Sequence, residues 1–192
     1  MRDIDVRAAL RTVVDSYFSH EPGTIRIEEL GILNGSSRVD LAVINGSLHG
    51  YEIKSAADTL ERLPSQVQAF SSVFDTVTLI VADRHAVEGA TLIPSWWGIY
   101  QATEKPDGSV KLQLRRRPKR NREVHPVSLA SLLWRDELIQ VLASRGVTGV
   151  ANKNREALHH VIAETIQIDD LRSTVRSVLK SRENWRPDAR RM

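Results

Sequence analysis

The sequence predicts an α/β fold, with a sheet-bearing core over residues 1–114 and a basic linker and helical extension over residues 115–192. Three observations predict it. Residues 38–44 and 48–54 read as two strands on either side of Asn45-Gly46, the strongest short turn signal, which is the pattern of an antiparallel hairpin. Residues 48–81 read as strand, amphipathic helix and apolar β-branched strand, the pattern of a right-handed crossover between neighbouring parallel strands. After Arg115 the apolar periodicity is helical throughout. A chain of 192 residues, 41% hydrophobic and 27% charged, suits one compact domain with an appendage.

In order, Val6, Leu10, Val13, Val14 and Tyr17 recur at helical spacing and predict a helix over 3–19, with Asp3 as its cap. Pro22-Gly23 ends it, and residues 24–29 alternate as a strand with Ile25, Ile27 and Glu29 on one face. Arg38 to Ile44 is a strand with Asp40, Ala42 and Ile44 on one face. A two-residue turn at Asn45-Gly46 returns the chain through Leu48 to Lys54, where Gly50, Glu52 and Lys54 share a face. A helix over 59–73 carries Leu63, Val67, Phe70 and Val73 on one stripe. Thr76 to Val81 is apolar enough to be buried on both sides. Trp97 to Thr103 and Val110 to Leu114 form a second hairpin around Pro106-Asp107-Gly108. Three helices follow, over 129–144, 153–164 and 170–183, capped by Ser128, Asn152 and Asp169, with Gly146 ending the first. Residues 185–192 read as a frayed basic terminus.

Composition narrows the function classes. The absence of cysteine excludes disulfides, thiolate metal sites and thiol nucleophiles. No apolar run reaches the ~18 residues of a membrane helix, and the first residues lack a signal core, so a cytoplasmic location is expected. The net charge of +3 divides unevenly: residues 1–114 hold 10 Lys/Arg against 15 Asp/Glu, and residues 115–192 hold 17 against 9. An acidic part beside a basic part fits metal binding joined to phosphate contact. No Gly-rich phosphate loop, G-x-S-x-G elbow or H-E-x-x-H helix is present.

The chemistry-bearing group is Asp40 with Glu52-Ile53-Lys54. The ExK spacing places a carboxylate and an ammonium side by side on one strand face, and the hairpin brings Asp40 alongside. Two carboxylates, with the Ile53 carbonyl as a further oxygen, can hold one hard cation. A bound cation lowers the pKa of an attacking water, and Lys54 can hold or deprotonate that water or offset charge in the transition state. The competing reading is a solvated sheet face with cross-strand ion pairs.

Arg38-Val39-Asp40-Leu41-Ala42 and Gly50-Tyr51-Glu52-Ile53-Lys54-Ser55 resemble the active-site hairpin of the PD-(D/E)XK nuclease superfamily. The run GYEIKSAADTLERLPSQVQAFSSVFDTVTLIV, with IPSWWGIYQA downstream, is similar to a branch of small bacterial proteins within it. That resemblance implies a restriction-endonuclease-like mixed β-sheet flanked by helices, a Mg²⁺ cofactor with Mn²⁺ as substitute, and hydrolysis of DNA phosphodiester bonds. It makes Asp40 and Glu52 metal ligands, Lys54 the water-activating lysine, and Gln66 the glutamine that orients Lys54 or the phosphate. Glu29 is the additional upstream acid, with Glu28 as the alternative if the strand bulges. Superfamily members often pair to cut both strands, which makes a homodimer compatible with the resemblance.

Arg115, Arg116, Arg117, Lys119, Arg120 and Arg122 are the candidate nucleic-acid contacts, against a plain solvated linker. Arg182, Arg186, Arg190 and Arg191 form a weaker basic patch. Trp96-Trp97 could stack on bases or enter the core. Asp58 and Arg62 could contact each other or a phosphate, or cap a helix at the surface, and His85 could lie near the site or be a plain loop histidine. His159-His160 are neighbours on a helix and cannot share one metal. Two functions from different classes remain: a metal-dependent nuclease, with DNA favoured and RNA open, or a catalytically silent nucleic-acid-binding or partner-recruiting module.

Overall fold

The structure, a computed structural model, describes residues 1–182 and Trp185. It is a mixed α/β fold in which helices flank one six-stranded sheet, a restriction-endonuclease-like arrangement. Strands β1 (Ile25–Ile32), β2 (Ser37–Ile44), β3 (Leu48–Lys54), β4 (Thr76–Ala82), β5 (Gly98–Glu104) and β6 (Val110–Arg116) lie side by side in chain order. The first three are antiparallel, β3, β4 and β5 are parallel, and β6 returns antiparallel. The parallel step from β3 to β4 is made through α2 (Leu63–Ser71), and the step to β5 through α3 (Ala86–Leu92), which the sequence reading missed.

Each sheet face has its own core. Helix α1 (Asp3–Tyr17) presses Val6, Leu10 and Val14 onto Leu41, Val43, Ile53 and Ile80. The opposite face packs Ala42, Ile44, Leu48, Leu79 and Val81 against α2, α3 and the C-terminal helices. Glycine is required at two close approaches, one on each face of the sheet. A Cβ on Gly50 would meet the Phe74 ring at 3.1 Å, and one on Gly98 would meet Pro118 Cδ and Thr78 Oγ1 at 2.8 Å. The second contact exists because the chain after β6 crosses back over β5, where the Lys119 amide donates to the Trp96 carbonyl.

Several local expectations change. Asp3 is the first helical residue rather than the cap: Arg2 holds the cap position, and its amide donates to Asp5 Oδ2. The helix expected over 59–73 starts at Leu63, beside Pro64 in its first turn. Among the described residues the extension holds four helices, not three. The first stretch divides into α4 (Pro126–Ala130) and α5 (Arg135–Ala143), because Trp134 leaves helical geometry and its amide is taken by Glu137 Oε2 at 2.7 Å. Asn154, not Asn152, caps α6 (Arg155–Thr165) by accepting from the Ala157 amide. Asp169 lies within the first turn of α7 (Ile168–Ser181). Gly146 has a φ of 78° just beyond α5, as a helix-ending glycine does. No helix among the described residues is long and apolar enough to cross a membrane.

Candidate active site

Asn45-Gly46 is not a two-residue turn. Ile44 pairs with Leu48, so Asn45, Gly46 and Ser47 form a three-residue loop, closed by Asn45 Oδ1 accepting from the Ser47 amide at 2.8 Å. The extra residue decides the site. Side chains alternate with period two, so a one-residue change of register exchanges the faces of a whole strand. With the observed register, Ala42 faces Gly50 and Leu41 faces Tyr51, which leaves Asp40 next to the Glu52-Ile53 stretch where the ladder ends. A two-residue turn would have set Asp40 opposite Tyr51, on the other face.

The hairpin ladder ends at Leu41–Tyr51, and the two strands separate beyond it. Asp40 stands at the fork. Its Oδ2 accepts from the Ile53 amide at 2.7 Å, taking the place of a backbone partner. Both strands of the β1–β2 ribbon also change face here. Val39 belongs to one core and Leu41 to the other, and Glu29, between the pairs Glu28–Leu41 and Leu30–Val39, has a φ of 55°. The irregularity sends the two acids apart: Glu28 pairs with Arg11 on α1, whereas Glu29 shares Arg7 with Asp40. Glu29 is therefore the upstream acid that the structure brings to Asp40.

Glu52 and Lys54 sit deep in the sheet, flanked on β4 by Leu79 and Val81. Their side chains are 4% exposed, and Lys54 Nζ donates to Glu52 Oε1 at 2.7 Å. Gln66 on α2 donates to the same oxygen at 2.5 Å. Glu52 Oε2 and Gln66 Oε1 are buried and have no hydrogen-bond partner among the described residues. Burial, reinforced by the charge of Asp40, pushes the Glu52 carboxyl up to about 7, although Lys54 and Gln66 oppose the rise. An acid and an ammonium held this far from water lower stability unless other interactions offset their desolvation. Such sites are often functional.

A hard divalent cation, the cofactor that the sequence resemblance implies, fits this donor set in kind. The unpartnered Glu52 Oε2, the neighbouring Asp40 carboxylate and the unpartnered Gln66 Oε1 are oxygen donors of the type Mg²⁺ and Mn²⁺ prefer. No group of three or more His, Asp or Glu converges among the described residues. Arg7 reaches into the same place: its guanidinium bonds Asp40 Oδ1 at 3.1 Å, the Asp40 carbonyl at 3.0 Å and Glu29 Oε1 at 2.9 Å. Burial opposes its charge, but Asp40, Asp3 and Glu29 together hold it more firmly protonated than usual. Nothing in the sequence singled out Arg7, which is adjacent to the apolar stripe of α1 and reads as surface.

The site opens into a cleft of about 1470 Å³. Asp40, Glu52, Ile53, Lys54, Gln66 and Glu29 all line it, as do Asp58 and Arg62. Its far side comes from the extension, through Trp134, Arg155, Arg182 and Trp185. Of these, only Arg182 was singled out in the sequence. Arg186, Arg190 and Arg191 lie outside the described residues.

The 115–122 segment is elsewhere, and none of its six cations lines the cleft. Arg115 bonds Gln101, Arg116 donates to the carbonyls of Trp97 and Pro94, and Arg120 pairs with Asp169. Trp97 is fully buried and stacks on Phe70, the core alternative of the two readings. His85 is buried, with Nε2 2.9 Å from the Asp58 carbonyl. Asp58 itself accepts from the Ser55 amide at 2.7 Å, a turn-closing role. His159 is buried and His160 exposed, so the two do point apart.

The model of the family described as bacteriophage P4 protein cII matches residues 5–189. The chain belongs to that family. Protein cII of Enterobacteria phage P4 is 30% identical over 156 residues, which cover 81% of this chain and 58% of the phage protein. The family match therefore spans both the hairpin core and the helical extension, while the chain corresponds to little more than half of the phage protein's length. Among solved structures, SfsA of Pyrococcus furiosus in complex with Ca²⁺ overlaps 60% of this chain and 63% of its own, at a TM-score of 0.36 and 10% identity.

Proposed function

We propose that this protein is a Mg²⁺-dependent nuclease of the PD-(D/E)XK type that hydrolyses DNA phosphodiester bonds. One observation carries the reading. A buried Glu52–Lys54 pair, braced by Gln66 and leaving Glu52 Oε2 unpartnered, forms the floor of an open cleft beside Asp40. A cation bound there would acidify the attacking water and offset charge on the phosphate.

The chain's own residues supply the remaining parts. Gln66 and Lys54 both bond Glu52 Oε1, which fixes the carboxylate and leaves Oε2 for the ligand. The Ile53 amide fixes Asp40 in the same way through Oδ2. Lys54 Nζ, held in an apolar wall, places a positive charge where the phosphorane gains negative charge, and in that low-polarity setting the attraction is stronger than in water. The water oxygen bonds phosphorus as the P–O bond to the leaving oxygen breaks, and the proton lost by the water is balanced by one that the leaving alkoxide takes up from solvent.

A second reading has its own support. Arg7 already neutralises Asp40 and Glu29, which suits a domain that keeps the fold and binds nucleic acid or a protein partner without turnover. Incubation of single-stranded, duplex and branched DNA with Mg²⁺ or Mn²⁺ separates the two. The nuclease reading expects EDTA-sensitive cleavage that Lys54→Ala and Asp40→Asn abolish. Binding without cleavage, unchanged in both variants, supports the second.

A further inference from the structure

The two sides of the cleft differ in chemistry. The hairpin side carries the carboxylates, whereas the wall from the extension carries Trp134, Arg155, Arg182 and Trp185 and no acid. Arg155, in the first turn of α6, is the informative residue. One of its terminal nitrogens donates to the Ser131 carbonyl at 2.8 Å and the Leu133 carbonyl at 3.1 Å. Its Nε is buried with no partner, and it makes no ion pair among the described residues. Burial, with the nearby charge of Arg182, lowers its pKa. A half-buried guanidinium that lines an open cleft, with no acid to pair its charge among the described residues, attracts an anion there.

Arg182 is placed differently. Its guanidinium lies 4.2 Å from the Trp134 ring centroid and 4.8 Å from that of Trp185. Glu137 takes its charge through contacts of 2.5 and 2.6 Å, and it also donates to the Leu132 carbonyl at 2.7 Å. Its side chain is only 5% exposed, so it acts as a rivet between two indoles and is not itself open to a ligand. Trp134 and Trp185 both line the cleft, as Arg155 does.

We propose that this wall binds one unpaired strand of nucleic acid, with Arg155 taking a backbone phosphate and Trp185 stacking against a base. The inference rests on reading the cleft as a nucleic-acid site, and it names the substrate class: a single strand or a frayed end. Stacking on an indole needs a base whose face is free, and the faces of bases inside a duplex are occupied by their neighbours. It also moves the strand away from residues 115–122, whose cations lie outside the cleft.

The test is equilibrium binding in EDTA, where hydrolysis plays no part. A labelled oligothymidylate of about 20 nucleotides is compared with a duplex of equal length by fluorescence anisotropy. The single strand should bind more tightly and quench tryptophan emission. Arg155→Gln should weaken it about tenfold and reduce the salt slope by about one phosphate. Arg155→Lys, which keeps a charge at the cleft, should fall between and guards against a folding defect. Replacing Arg115, Arg117 and Lys119 together by Gln should leave affinity within about twofold. Equal or tighter duplex binding, an unquenched signal, or wild-type affinity in both Arg155 variants would overturn the inference. The nuclease reading is judged separately, by cleavage in Mg²⁺ with Lys54→Ala.

Discussion

Two buried titratable groups should make opposite contributions to stability between pH 5 and 6.5, and variants should unmask each one. Glu52 has a carboxyl pushed up to about 7 by burial and by Asp40, from an ordinary 4.5. The native protein therefore holds the proton more tightly than the unfolded chain does, and stability from this group falls as pH rises from 4.5 towards 7. His159 is 1% exposed, its Nε2 has no partner, and burial, with Arg155 nearby, pushes it down to about 4 from 6.5. Here the unfolded chain binds the proton more tightly, so stability rises with pH from 4 to 6.5.

One proton bound differently by the two states is worth about 1.4 kcal/mol per pH unit, so from pH 5 to 6.5 each group contributes about 1.5–2 kcal/mol, with opposite sign. In the wild type the two nearly cancel. His159→Gln should lose about 1.5 kcal/mol relative to wild type as pH rises across that window. Glu52→Gln with Lys54→Met, which removes the buried pair together and leaves no lone ammonium, should gain a similar amount. Urea unfolding in EDTA, followed by circular dichroism at several pH values, measures both. Profiles parallel to wild type in both variants, or slopes of the same sign, would refute the placement of these groups.

Other expectations follow from the same geometry. Mn²⁺ or Mg²⁺ at a hundred times its Kd should raise stability by about 2.7 kcal/mol in a thermal melt, and Asp40→Asn should remove that gain. Lys54→Ala should reduce cleavage by about 10²–10⁴ while leaving metal-induced stabilisation largely intact, which distinguishes a reacting group from a ligand. Gly98→Ala should destabilise the protein by about 1–3 kcal/mol, because its Cβ would lie 2.8 Å from Pro118 Cδ and 3.0 Å from Pro118 N. A melting temperature equal to wild type would show that the crossing after β6 is looser than described.

Much of the core was readable because its signals are local. The turn signal at Asn45-Gly46 between two strand-like runs located β2 and β3, and the β-branched run from Thr76 gave the doubly buried β4. The shared face of Glu52 and Lys54 follows from the period of two along a strand. What failed depended on a single residue or on distant partners. The turn length changed from two residues to three because the Asn45 side chain closes the loop on Ser47. The break at Trp134 divided one expected helix into two, through a contact with Glu137 that periodicity does not register. The charge run at 115–122 drew attention away from Arg155 and Arg7, single arginines whose importance comes from what the fold sets beside them. Charge density along the chain says little about which cations line a cleft.

The measurement closest to the central claim is anomalous diffraction from crystals soaked in Mn²⁺ above pH 7, where Glu52 is mainly ionised. The account predicts a single strong peak about 2.0–2.3 Å from Glu52 Oε2 and from one oxygen of Asp40, with the Arg7 guanidinium drawn away from Asp40. A cleft with no such peak at saturating Mn²⁺, and Arg7 still bonded to Asp40, would contradict it.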